Sequence, residues 1–222
     1  AYTAVDKAET EKETAIAINA IAVGHLAALC KQYNARFIHF STDYVFSGNA
    51  DKPYEPTDTT DPVNYYGLTK LMGEQQAFEN NEETIVIRTS WVYSSFGKNF
   101  VKTMLRLMAE KDAIGVVSDQ VGCPTYAADL ANAVMQIVQS NNTEAGIYHY
   151  CNKGIISWFD FATAIKEIAD SNCIVNPIQT KDYPTPAKRP GYSALDTQKI
   201  QDKFSIEIPH WRQSLERCIK LM

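Results

Sequence analysis

The sequence has no C-x-x-C pair, no clustered basic stretch and no long unbroken apolar run, and each absence closes off a class of function. Its five cysteines (Cys30, Cys123, Cys151, Cys173 and Cys218) are odd in number and widely separated. That spacing offers neither a zinc knuckle nor a disulfide framework, and reduced thiols in a cytoplasmic protein are the simplest account. The four histidines (His25, His39, His149 and His210) show no metal-ligand spacing, so no metal site is expected. Lysine and arginine are scattered, the net charge is -5 and the pI is near 5.4, which argues against nucleic acid as a partner. No apolar run approaches the ~18 residues of a membrane span. The N-terminus, Ala1-Tyr2-Thr3, leads straight into charged residues, so neither a membrane partner nor a signal peptide is expected.

What is present is ordinary globular composition: 222 residues, 45% hydrophobic and 21% charged, enough for one large domain or a domain with a small attached lobe. Apolar residues at spacings of three and four (Ile16, Ala20, Val23, Ala27, Cys30) predict an amphipathic helix from Glu11 to Tyr33. Arg36 to Phe40 is a β-prone run ending in Ser41-Thr42-Asp43, and Ser47 to Asp61 reads as a loop. A helical pattern runs from Pro62 to about Asn80, followed by a buried-strand pattern over Thr84 to Thr89. Helices are predicted near 100–111, 127–139 and 158–169, strands near 114–117 and 146–150, and a last helix after Pro209. Strands separated by long crossovers predict an α/β fold with a parallel sheet, because parallel neighbours need a connection that returns to the same edge. The Pro-rich stretch from Asp182 to Tyr192 reads as part of a lobe over that sheet.

Tyr66 and Lys70 form Y-x-x-x-K on a predicted helix and so share one face. Alone, such a pair is as well explained by a surface pair on an amphipathic helix. Upstream, however, a predicted strand ends at Thr42, and open α/β sheets place their ligands at the carboxyl ends of strands. A phenol, an ammonium and a hydroxyl supply what carbonyl reduction needs. Hydride addition leaves negative charge on oxygen, a tyrosine can protonate it, and an adjacent ammonium would bring down the phenol's usual pKa of ~10. Thr42 would hydrogen-bond the same oxygen.

The strings Ser41-Thr42-Asp43-Tyr44-Val45-Phe46-Ser47-Gly48, Tyr65-Tyr66-Gly67-Leu68-Thr69-Lys70 and Arg88-Thr89-Ser90-Trp91-Val92-Tyr93 resemble the extended short-chain dehydrogenase/reductases, most of all the branch that reduces dTDP-bound 4-keto sugars. Thr3 to Glu9, Asp119-Gln120 with Gly122, Pro124 and Thr125, and Arg189-Pro190 with Ser193 and Leu195 extend the likeness over nearly the whole chain. The resemblance implies that Tyr66 is the proton donor, that Lys70 orients the nicotinamide ribose of NADPH or NADH, and that Thr42 holds the keto oxygen. It implies substrate contacts by Asp43 and Trp91, which could otherwise be a turn residue and a core aromatic. It also implies cofactor contact by the backbone of Ala1, Tyr2 and Thr3. Arg189 matches a position where a pyrophosphate contact or a surface salt bridge would each fit. The implied reaction reduces carbon 4 of dTDP-6-deoxy-L-lyxo-4-hexulose to dTDP-L-rhamnose. An epimerase or dehydratase of the same fold is disfavoured because Tyr44, not a second acid, follows Asp43. A non-catalytic regulatory subunit has no use for the intact Thr42, Tyr66 and Lys70.

One element of that pattern cannot be drawn. The ten glycines are dispersed, the nearest two (Gly67 and Gly73) standing six apart, so no G-x-G-x-x-G turn for a pyrophosphate exists here. The expectation is therefore a partial Rossmann-type sheet whose N-terminal strands are absent (residues 1–150) with a mainly substrate-binding lobe (151–222). Such a chain would be inactive alone, with an exposed sheet edge that favours a homo-oligomer or rearrangement. A magnesium site described for some relatives is not expected, because Tyr126-Ala127-Ala128 follows Thr125 with no carboxylate before Asp129.

Overall fold

A computed structural model describes residues 1–140, 142 and 144–222. It opens with α1 (Val5–Ala8), α2 (Lys12–Ile16), a π-helical turn (Ala17–Ile21) and α3 (Ala22–Gln32). Then come β1 (Ile38–Thr42), α4 (Tyr65–Asn80), β2 (Ile85–Thr89), β3 (Val92–Tyr93), α5 (Phe100–Glu110), β4 (Ala113–Val117), β5 (Val121–Gly122) and β6 (Thr125–Tyr126). The rest is α6 (Ala127–Gln139), β7 (Gly146–His149), β8 (Ile156–Ser157), α7 (Trp158–Ile168), β9 (Ile174–Ile178), α8 (Gln198–Phe204) and α9 (Trp211–Ile219).

The α/β expectation holds. A three-stranded parallel sheet runs in the order β1-β2-β7, with Ile38 opposite Ile85, Thr42 opposite Thr89 and Ile85 opposite Gly146. Every residue of the middle strand β2 is buried, as a parallel strand covered on both faces requires. On one face Ile85 and Ile87 pack with Leu130, Ala133 and Ile137 of α6 and with Ile200 and Phe204 of α8. On the other, Val23 and Ala27 of α3 meet Ala77 of α4. The helix starts are legible in the sequence: Asn64 caps α4 by accepting from the Gly67 amide, Asn99 caps α5, and Ser157 with Asp160 forms a reciprocal box at α7.

A second core lies beyond this sheet. β4 does not join the main sheet but pairs in parallel with β9, and α5, α7 and α9 cover the pair around Met104, Phe161, Ile165 and Leu215. Residues from both sides of position 150 thus build one core. β9 escapes the periodicity because Asn176 and Pro177 interrupt it, and a proline is tolerated on the edge of a two-stranded sheet. The short, polar α8 was likewise not anticipated.

The reading of the apolar runs needs one amendment. By length and composition, the continuous helical stretch Lys12–Gln32 would pass for a membrane span, although Ala15, Asn19, Ala20, Val23, Gly24 and Ala27 are buried against the protein. Its other side leaves Ile18, Ile21, Leu26 and Leu29 about half exposed.

Candidate active site

The carboxyl end of β1 runs directly into a 3-10 turn, Asp43–Val45, and this turn assembles the site. Thr42 keeps an extended backbone while its hydroxyl accepts from the Tyr44 amide (3.2 Å) and donates to Asp43 Oδ1 (3.0 Å). Helix α4 then lies across the turn at very short range. A Cβ on Gly67 would stand 2.1 Å from the Tyr44 carbonyl oxygen, and one on Gly73 would stand 2.1 Å from that of Asn19, so only glycine allows this approach. Tyr66, half-buried, meets the Tyr44 ring edge to face at 5.9 Å, with the Thr42 hydroxyl close enough to act on its phenol.

Electrostatics at these groups departs from the sequence reading in one respect. Burial pushes the Tyr66 phenol up to about 12; Thr42 pulls against this and the Asp43 charge adds to it. The expected lowering by Lys70 is absent, because the Lys70 ammonium turns the other way. It donates to the Phe40 carbonyl at 2.6 Å and faces His39 Nε2 at 3.4 Å. Burial brings Lys70 down to about 8, partly offset by Glu74. Asp43 is 2% exposed, and its Oδ2 has no well-formed hydrogen bond. Burial raises its carboxyl to about 6, with the nearby Ser193 and Thr42 hydroxyls opposing the rise. A buried acceptor without a partner marks a place where a ligand hydroxyl would be welcome.

The other sequence candidates surround this point. Trp91 sits just past the end of β2 with φ +47, a left-handed backbone that a bulky residue rarely adopts, and its ring stacks on Trp158 at 3.6 Å. Gly122 lies between the Trp91 ring and the Ser193 hydroxyl, each 2.9 Å from where its Cβ would be, which brings Trp91 within one residue layer of Asp43's neighbour. Arg189 grips Asp6 with both guanidinium arms (2.9 Å for Nη2 to Oδ2), tying the C-terminal part to α1 and holding the Asp6 carboxyl below its usual range. Ala1, Tyr2 and Thr3 precede α1 without regular secondary structure. Asn19 clamps Tyr2 at both its amide (2.8 Å) and its carbonyl (2.9 Å) and also donates to Thr69 on α4 (3.1 Å). The structure therefore brings Thr42, Asp43 and Tyr66 together, lays the N-terminal residues near their helix, and commits the Lys70 ammonium to Phe40 and His39.

Asn19, His39 and Ser193 were not singled out by sequence reasoning. Asn19 had a legible signal: a polar residue on the buried face of an apolar helix, where it anchors a π-helical turn of the kind that gathers at functional sites. Among the described residues no group of three or more His, Cys, Asp or Glu side chains is arranged to hold a metal ion.

A parallel α/β sheet with a hydroxyl at a strand end and Y-x-x-x-K on the next helix is the architecture of the extended short-chain dehydrogenase/reductases. Comparison with known proteins narrows this. The family model described as RmlD substrate binding domain matches residues 1–222. The dTDP-4-dehydrorhamnose reductase of Escherichia coli (strain K12) is 42% identical over 228 residues, which cover 99% of this chain and 76% of the relative. That of Aggregatibacter actinomycetemcomitans is 41% identical over 226 residues, covering 97% of this chain and 77% of the relative. A crystal structure of dTDP-4-dehydrorhamnose reductase from Bacillus anthracis str. Ames in complex with NADP matches with a TM-score of 0.96 at 38% identity, over 100% of this chain and 78% of that one. This chain belongs to the dTDP-4-dehydrorhamnose reductase family.

Proposed function

We propose that the chain is the substrate-binding and proton-donating part of an NAD(P)H-dependent reductase that converts the 4-keto group of a dTDP-6-deoxy sugar to the alcohol of dTDP-L-rhamnose. The observation that carries this is the convergence of Thr42, Asp43 and Tyr66 at the carboxyl end of β1. Tyr66 stays protonated at neutral pH and gives its proton to the alkoxide as it forms, while Thr42 holds that oxygen in line. Asp43 Oδ2 accepts from a sugar hydroxyl, and Trp91 offers a rigid ring beside it. Arg189 meets the diphosphate with the part of its guanidinium that Asp6 does not occupy.

The donor set also suits the nicotinamide–ribose end of the cofactor. Lys70 retains one N–H beyond its contacts to Phe40 and His39, and the exposed residues Ala1 and Thr3 flank the clamped Tyr2 beside the same helix. The bound dinucleotide supplies the hydride. The residues suited to its pyrophosphate are not found here, since no Gly-rich turn can be drawn. The five unpaired cysteines suit a reducing cytoplasm.

The test follows binding and turnover separately. Calorimetry with dTDP and with a dTDP-hexose should show binding that weakens in Arg189→Ala and Trp91→Ala. NADPH or NADH oxidation dependent on dTDP-4-dehydrorhamnose, lost in Tyr66→Phe, supports the reductase reading. Tight nucleotide-sugar binding without turnover, in protein that also binds the dinucleotide, would instead indicate a regulatory subunit.

A further inference from the structure

His39 lies three residues before Thr42 on β1 and has no part in the reaction as derived above. Its surroundings are nonetheless specific. The imidazole stacks on Phe37 (centroids 6.2 Å apart, planes 22° apart), and its Nε2 faces the Lys70 ammonium at 3.4 Å. Gly73 on α4 lies beside it: a Cβ there would stand at an ordinary contact distance, 3.5 Å, from Nε2. Lys70 is only 3% exposed, and no carboxylate bonds it directly. An ammonium has three donors and no acceptor. One of them goes to Phe40, and among the described residues the only other protein atom the ammonium meets at hydrogen-bonding distance is the imidazole nitrogen.

We infer that His39 is a positioning residue for Lys70: its neutral imidazole accepts one ammonium proton and, with the Phe40 carbonyl, fixes Lys70 so that its remaining N–H is available to a ligand. The inference rests on the proposed reductase reading for its purpose, though not for its test. The charged groups that face this pair are Glu74 on α4, Arg88 on β2 as Glu74's partner, and the α-amino group of Ala1. Burial, the Lys70 charge and that amino group push His39 down to about 3, so the ring stays an acceptor throughout the working range, with its own proton on Nδ1.

An acceptor that bonds the charged form favours that form. Removing it therefore lowers the Lys70 pKa. The experiment is NMR titration of lysine labelled with carbon-13 at Cε, with the Lys70 signal assigned from Lys70→Arg. In the unsubstituted chain Lys70 should titrate near 8. His39→Leu should lower that value by about one unit, the scale of a hydrogen bond to a charged group. His39→Gln, whose amide oxygen can reach, should stay within a few tenths of a unit, whereas the shorter His39→Asn should shift like leucine. Folded leucine and asparagine variants with an unmoved Lys70 would overturn the inference, as would a glutamine variant that shifts as far as leucine. Should the leucine variant not fold, the glutamine–asparagine contrast decides alone. Failure of the unsubstituted protein to bind dTDP or a dTDP-hexose would count against the proposed function and leave this titration readable.

Discussion

Arg88 and Glu74 meet in a two-pronged ion pair, Nε to Oε1 at 2.9 Å and Nη2 to Oε2 at 2.7 Å, closed off between the central strand and α4. Each side chain is only 2–3% exposed. Removing one partner strands the other charge in a site with little water. Glu74→Gln is therefore expected to lose about 3–5 kcal/mol of stability. Replacing both at once, as Glu74→Leu with Arg88→Met, should cost markedly less. Urea unfolding of the two variants beside the unsubstituted chain checks this; a double variant no better than the single one would show that the pair's worth lies in shape rather than charge.

Gly73 and Gly24 make a matched comparison. Alanine at Gly73 would drive a Cβ to 2.1 Å from the backbone oxygen of Asn19, which cannot yield without disturbing the π-helical turn and the Tyr2 clamp. Gly73→Ala should therefore destabilise by about 1–3 kcal/mol, the usual cost of overpacking. At Gly24 the nearest atom is Gln76 Oε1 at 2.9 Å, the far end of a flexible side chain. Gly24→Ala should be neutral or stabilising by up to ~1 kcal/mol, since it removes a helix-interior glycine. Thermal melts of opposite sign are the expected result.

Asp43 predicts a dependence of stability on pH. Its carboxyl titrates at about 6 when folded against a reference of 3.8. Between those values the folded chain holds a proton that the unfolded chain has released. Stability from this group therefore falls as pH rises through the window, and the full penalty remains above pH 6. Asp43→Asn removes the penalty, so its advantage over the unsubstituted chain should grow from near zero at pH 4 to about 1–3 kcal/mol at pH 7. Paired denaturation curves at pH 4, 5.5 and 7 measure it. A pH-independent difference would mean that Asp43 is not buried as a charge.

The alternation that carries the main sheet was legible because β1, β2 and β7 are uninterrupted β-prone runs, α4 starts at an Asn64 cap and α6 keeps a clear helical period. Thr42, Asp43 and Tyr66 were legible as a site because each lies at the end of such an element. What remained hidden depends on distance across the fold. Nothing near Ala113–Val117 announces that its partner is Ile174–Ile178, some sixty residues on and broken by Pro177. Nor does the spacing of Tyr66 and Lys70 reveal that the ammonium swings to Phe40, since a shared helix face fixes where a side chain starts and its acceptors decide where it ends. Arg189 was legible as a charged position only; its commitment to Asp6 links opposite ends of the chain.

Tyr66 and Lys70 set the pH profile of the proposed reduction in opposite ways. With its phenol raised to about 12, Tyr66 keeps its proton across the working range and contributes no alkaline limb of its own. Lys70, at about 8, loses its charge well before that. The rate of 4-keto reduction should therefore decline above pH ~8, in step with the ammonium proposed to hold the ribose. Lys70→Arg keeps a permanent charge and should carry the decline upward, though an arginine fork will not reproduce the lysine's reach and the plateau rate should drop. Tyr66→Phe should lower kcat by about 10²–10⁴ with little change in KM, because it removes a proton donor that acts in the transition state. Stopped-flow or steady-state NADPH oxidation from pH 6 to 10 separates these effects. An alkaline limb that stays put in Lys70→Arg but vanishes in Tyr66→Phe would assign the titration to the phenol, and would mean that the bound state pulls the phenol back down toward neutrality.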